Sequence, residues 1–126
     1  MTQAVAKVMV PAKRGTLILL TSDRGVHGSI DYAHYAASKG GQIALAKSLA
    51  LVLGKHGITV NAINPGLTDT PLGRKANPVW EDKLKVDVLG KTSQPEEIAE
   101  IVLFLAGTAG AFMTGQIVST RMRLGI

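Results

Sequence analysis

The apolar positions of this chain alternate between short unbroken runs and longer stretches in which they recur every three or four residues. GTLILLTS, from Gly15, is continuous and flanked by polar residues, the pattern of a strand wholly buried in a sheet that is covered on both faces. GITVNAINPG is a second such strand, its β-branched residues alternating with small ones up to Pro65, and TGQIVS supplies a short third. The intervening periodicity predicts helices: residues 2–10, ended by Pro11; residues 31–53, stopped at Gly54; and SQPEEIAEIVLFLAG, ended at Gly107. The last begins with Ser93 as N-cap, Pro95 and Glu96 in the first turn, and a Ser-x-x-Glu capping box. Such alternation of helix and strand predicts an α/β domain with a parallel sheet and right-handed crossovers.

Two segments fall outside the alternation. DRGVHGS, after the first strand, reads as a loop. Residues 67–90 form a long, polar, proline-punctuated connection with room for a helix from Pro78 to Val88, and connections of this size commonly act as lids. Substrate selection is expected around its single tryptophan, Trp80.

Composition narrows the classes of function. The 126 residues make one domain at most, 46% hydrophobic but only 4% aromatic, so the core must rest on aliphatic side chains and close backbone approach. With no cysteine there is neither a disulfide framework nor a thiolate metal site, a usage that suits the cytoplasm. His27, His34 and His56 match no metal-ligand spacing, so no metal is expected. The first apolar run is broken by Lys7 and Pro11, too short for a membrane span or leader. A net charge of +5 raises nucleic acid as a partner, yet Lys13–Arg14, Arg74–Lys75 and Arg121–Arg123 lie in separate segments without interleaved aromatics. A solvated basic surface is the better account, with nucleic-acid binding the weaker alternative.

Candidate chemistry centres on SIDYAHYAASKGGQ, residues 29–42. On a helix Tyr35 and Lys39 share one face, four residues apart, whereas Tyr32 faces only Ala36. Such a pair arises by chance in about one chain in five of this length, so the pair alone decides nothing. Ser22 stands thirteen residues before Tyr35, at the carboxyl end of the first strand, where open α/β sheets place ligand chemistry. The second strand ends in a polar break of its own, NPGLTDT, at residues 64–70.

Taken together, LLTSDRG, YAHYAASKGG, ITVNAINPGLTDTP, SQPEEIAEIVLFLAG and FMTGQ resemble the C-terminal half of a short-chain dehydrogenase/reductase over roughly residues 2–119. The resemblance implies a partial doubly wound, Rossmann-like sheet lacking its N-terminal βαβ half. It implies an NAD(P)-dependent oxidoreductase of carbonyl or alcohol substrates, with Ser22, Tyr35 and Lys39 catalytic. Tyr35, Lys39, Pro65, Gly66, Thr68 and Thr70 would hold the nicotinamide end of NAD or NADP. A free phenol, with a pKa of about 10, is a poor source of base at neutral pH, and a neighbouring ammonium stabilises its phenolate. A serine hydroxyl that hydrogen-bonds the substrate oxygen stabilises developing charge. Homo-oligomerisation through the helix at 31–53 is also implied, with Ala36, Ala37 and Gly40 allowing close approach of a second copy.

The chain departs from the family's pattern at both ends. No Gly-x-x-x-Gly-x-Gly turn is present, and Thr120-Arg121-Met122-Arg123 stands where the family carries Val-Asp-Gly-Gly. A truncated enzyme, whose own catalysis and cofactor affinity are weak or absent, is the leading expectation. The alternative is a non-catalytic fragment or pseudoenzyme acting as an interaction module.

Overall fold

The computed structural model describes residues 1–85 and 87–120. Helix α1 (Thr2–Ala12) precedes β1 (Gly15–Leu20), a short α2 (Asp23–His27), the long α3 (Ala33–Leu53) and β2 (Ile58–Asn64). Two short helices, α4 (Pro71–Lys75) and α5 (Trp80–Lys85), lie in the long connection, and α6 (Pro95–Ala106) leads to β3 (Ile117–Ser119). The three strands are parallel in the order β1-β2-β3, with Gly15 opposite Ile58 and Ala62 opposite Ile117.

β2 lies at the centre, and its two faces build two cores. Ile58, Val60 and Ala62 pack with Ala46, Ala50 and Leu53 of α3, joined by Met9 and Val10 of α1. Ile63, one residue out of phase, packs on the other face with Ile98 and Leu105 of α6. Because successive strand side chains point to opposite faces, one apolar strand covered on both sides serves both cores. Asn61 is fully buried within this strand and is satisfied by donating to the Met113 carbonyl (2.8 Å) and accepting from the Gln116 N–H (3.0 Å). The turn into β3 is thereby fixed to the middle of the sheet.

Several boundaries differ from those the sequence suggests. β1 is half-buried rather than wholly buried, and Leu20 is 51% exposed, because among the described residues β1 is an edge strand. Pro11 lies inside the last turn of α1 instead of ending it, and the stop is Lys13 in the left-handed region (φ 52°). α3 begins at Ala33, not residue 31, since the Ser29 hydroxyl accepts from the Tyr32 N–H in a preceding turn. The helix expected over 78–88 spans only Trp80–Lys85. α6 is capped by Gln94 rather than Ser93, and the Glu97 carboxylate accepts from the Gln94 N–H (2.8 Å). Ser93 is buried instead against the long connection, its N–H donating to the Leu67 carbonyl and its carbonyl accepting from the Asp69 N–H. The divergent stretch 121–126 lies outside the described residues.

Candidate active site

Thr21 fixes the exit from β1. Its N–H and hydroxyl both donate to the Ile63 carbonyl, at 2.8 and 3.0 Å, so the next residue is delivered at the carboxyl ends of β1 and β2. That residue is Ser22, with extended backbone, whose Oγ accepts from the Arg24 N–H (3.3 Å) and caps α2. DRGVHGS is therefore not all loop: an N-cap serine followed by aspartate in the first turn was the available signal for this helix.

α2 crosses α3 at backbone contact. A β-carbon placed on Gly25 would come within 2.7 Å of the Lys39 carbonyl carbon, and one on Gly40 within 3.3 Å of the Gly25 oxygen. Gly40 therefore faces α2 at close range within the chain. The crossing brings Ser22 beside the α3 turn that carries Tyr35, and both line one cavity of about 590 Å³.

Pro65, Gly66, Thr68 and Thr70 form another wall of the same cavity. Gly66 turns the chain with φ of +64°, a conformation costly to any side chain. Asn64 steadies this turn: its amide donates to Asp23 and Ser119 (both 3.3 Å), while its oxygen accepts from the Gly66 N–H (3.4 Å). Thr120 Oγ1 donates to the Pro65 carbonyl (2.8 Å). The Thr70 hydroxyl accepts from the Gly73 N–H (2.9 Å) to cap α4, which leaves its proton to offer. Asn64 and Thr120 escaped the sequence reading because buried amide and hydroxyl braces follow no periodicity.

Of the residues expected to be catalytic or cofactor-binding, Lys39 alone does not line the cavity. Its Nζ donates to the Leu20 carbonyl (2.9 Å) and to Gln42 Oε1 (3.2 Å), and lies 5.8 Å from the centroid of the Tyr35 ring. The two side chains share a face as expected, but the ammonium is drawn to the end of β1 rather than resting on the phenol. Trp80 does not line the cavity either. It is buried beneath Arg74, and Leu72, Gly73, Ala76 and Asn77 form the roof. Arg74 also grips Asp69 through two 2.6 Å bonds, and hydrogen bonding to this guanidinium holds the Asp69 carboxyl below its ordinary value. Among the described residues no group of His, Cys, Asp or Glu could hold a metal ion, and no helix is long and apolar enough to cross a membrane.

The sequence of residues 1–120 matches a family model described as enoyl-(acyl carrier protein) reductase. The chain belongs to the short-chain dehydrogenase/reductase family. Among its relatives in this family, 3-oxoacyl-(acyl-carrier-protein) reductase of Thermotoga maritima is 36% identical over 118 residues, 93% of this chain and 48% of that protein. The (3R)-3-hydroxyacyl-CoA dehydrogenase of Homo sapiens is 37% identical over 116 residues, 90% of this chain and 44% of that protein. Among solved structures, a 3-oxoacyl-(acyl-carrier-protein) reductase from Brucella melitensis superposes with a TM-score of 0.84 at 34% identity, covering 94% of this chain and 45% of that one. An NAD+-bound xylitol dehydrogenase gives 0.90 at 27% identity, covering 95% and 53%. The chain therefore spans about half the length of the short-chain dehydrogenase/reductases it matches, and its fold is a partial Rossmann-like α/β sheet.

Proposed function

We propose that this chain is the catalytic half of an NAD(P)-dependent oxidoreductase that interconverts a carbonyl and a secondary alcohol. The observation that carries the reading is the convergence of Ser22, Tyr35 and the 65–70 wall on one cavity at the carboxyl ends of parallel strands. In open α/β sheets ligands bind there. The related proteins named for oxoacyl reduction, hydroxyacyl oxidation and xylitol oxidation all carry out carbonyl–alcohol chemistry.

The residues present suit the nicotinamide end of the cofactor: the glycine turn at 66 admits close approach, and the Thr70 hydroxyl retains a proton to donate. Bound nicotinamide supplies or accepts the hydride. Tyr35 moves the proton at the substrate oxygen, and the Ser22 hydroxyl, occupied only as an acceptor from Arg24, donates to that oxygen. Lys39 holds α3 to β1 and keeps its ammonium 5.8 Å from the centre of the Tyr35 ring. Pro65, Gly66, Thr68 and Thr70 line the cofactor side. These contacts serve NAD and NADP alike, since the phosphate that distinguishes them is on the adenosine. The segment 67–90 acts as a lid whose base is tied where Leu67 and Asp69 meet Ser93. Leu45, Leu51 and Val52, exposed on α3, support self-association through that helix.

A chimera joining this chain to the N-terminal half of the Thermotoga maritima relative tests the reading. Consumption of NADPH with a ketone is expected, with Tyr35→Phe abolishing turnover while retaining cofactor binding, and Ser22→Ala lowering turnover by about 10² to 10³. Undiminished turnover in the Tyr35→Phe chimera overturns it.

A further inference from the structure

The cavity holds an arginine that pairs with no carboxylate among the described residues. Arg24, two residues after Ser22 in the first turn of α2, is half-buried and lines the cavity, its guanidinium 4.2 Å from the centroid of the Tyr32 ring. Among the described residues no carboxylate lies within ion-pair distance of it. Asp23 is the one carboxylate among the lining residues, and it is turned elsewhere: its Oδ1 accepts from the Asn64 amide (3.3 Å) and lies 3.6 Å from His27 Nε2. Stacking on an aromatic ring fixes a guanidinium by its face and leaves the N–H fork along its edge available. A partly desolvated cation of this kind gains most from a planar anion that accepts two hydrogen bonds. Leu67, Leu72 and Ala76 contribute apolar lining to the same cavity.

We propose that Arg24 is a specificity-determining residue that binds an anionic group of the substrate, a carboxylate or a phosphate, close to the reacting carbonyl. The proposal rests on the carbonyl–alcohol reading of the same cavity. The Arg24 N–H donates to Ser22 Oγ, so the anion recognised by its side chain lies within one arginine's reach of the carbonyl oxygen that Ser22 contacts. This selects short oxo acids and the corresponding hydroxy acids over neutral ketones. Leu72 and Ala76 of the roof accept the hydrocarbon between the two polar ends.

The 126-residue chain itself is titrated with levulinate, its methyl ester, acetonylphosphonate and valerate, followed by saturation-transfer NMR on the ligands. Levulinate is expected to bind about tenfold more tightly than its ester, and Arg24→Gln to erase that difference. Arg24→Lys, which keeps the charge, should retain part of the preference with an unchanged circular dichroism spectrum. Tighter binding of levulinate than of acetonylphosphonate assigns the site to carboxylates, and the reverse order assigns it to phosphates. Equal binding of levulinate and its ester, or a preference that survives Arg24→Gln, overturns the proposal. Valerate lacks the carbonyl and separates the two readings. If levulinate and valerate bind alike in both wild-type and Tyr35→Phe chains while Arg24→Gln still erases the preference over the ester, the carbonyl reading falls and the anion site stands.

Discussion

The Lys39 ammonium donates to the Leu20 carbonyl 2.9 Å away, tying the helix that carries Tyr35 to the last residue of the first strand. Lys39→Ala is therefore expected to lower stability by about 1 kcal/mol, as for one largely exposed hydrogen bond. In the chimera it should weaken both cofactor binding and turnover, whereas Tyr35→Phe should spare binding. Urea denaturation and NADPH titration of the two variants make the comparison.

Three glycines of α2 and α3 should respond differently to one added methyl. Gly25→Ala would press on the Lys39 and Gly40 backbone at 2.7–2.8 Å and is expected to cost about 1–3 kcal/mol. Gly40→Ala meets the Gly25 oxygen at 3.3 Å and should cost less. Gly41→Ala meets nothing, so it should gain up to about 1 kcal/mol from helix propensity. Thermal melts of the three variants test this order, which an α2 held loosely against α3 would not produce.

Asn61→Ala should be among the most damaging single changes. It strands the Met113 carbonyl and the Gln116 N–H, each at about 1–3 kcal/mol if left unsatisfied. Hydrogen exchange at Gln116 should accelerate more than exchange at α1 amides.

Acid should loosen the 67–90 connection near its start. The Asp69 carboxyl is held below its ordinary value by hydrogen bonding from Arg74, so the pair contributes stability above the unfolded-state value and loses it as pH falls through the lowered native one. A carboxyl-carbon NMR titration should show the low midpoint in the native chain and a return toward the ordinary value in Arg74→Ala.

Dinucleotide affinity of the chain alone should be millimolar or weaker. The described residues offer contacts to the nicotinamide end, each worth about 0.5–1.5 kcal/mol, and these barely offset the freedom lost on binding. Calorimetry with NADH, using Lys39→Ala as control, measures it; micromolar binding abolished by that change would refute the expectation.

The strands, the long helix and the cavity residues were legible because each has a local signature: apolar runs for β1 and β2, a Gly stop for α3, and polar breaks at strand ends for Ser22 and 65–70. What escaped depends on the third dimension. The half-exposure of β1 follows from its place in the strand order, which periodicity does not encode. Lys39 turned to Leu20 because a carbonyl at a strand end competes for its protons, a choice invisible to helical spacing. Arg24 had no signal of its own within DRGVHGS, and it is α2 and the Tyr32 ring that place it in the cavity.

The parallel arrangement also governs how the chain reaches its fold. Thr16 meets Thr59 across 43 positions, and Asn64 meets Ser119 across 55, so no rung of this sheet joins sequence neighbours. Every ladder waits on closure of a long intervening segment, and the second of these contains the whole 67–90 connection. High contact order of this kind slows folding and prolongs the life of species with bare strands. β2, which must be embraced from both sides, is the last strand whose pairing can be complete, and its seven residues are the ones for which a nascent chain most needs protection from its neighbours.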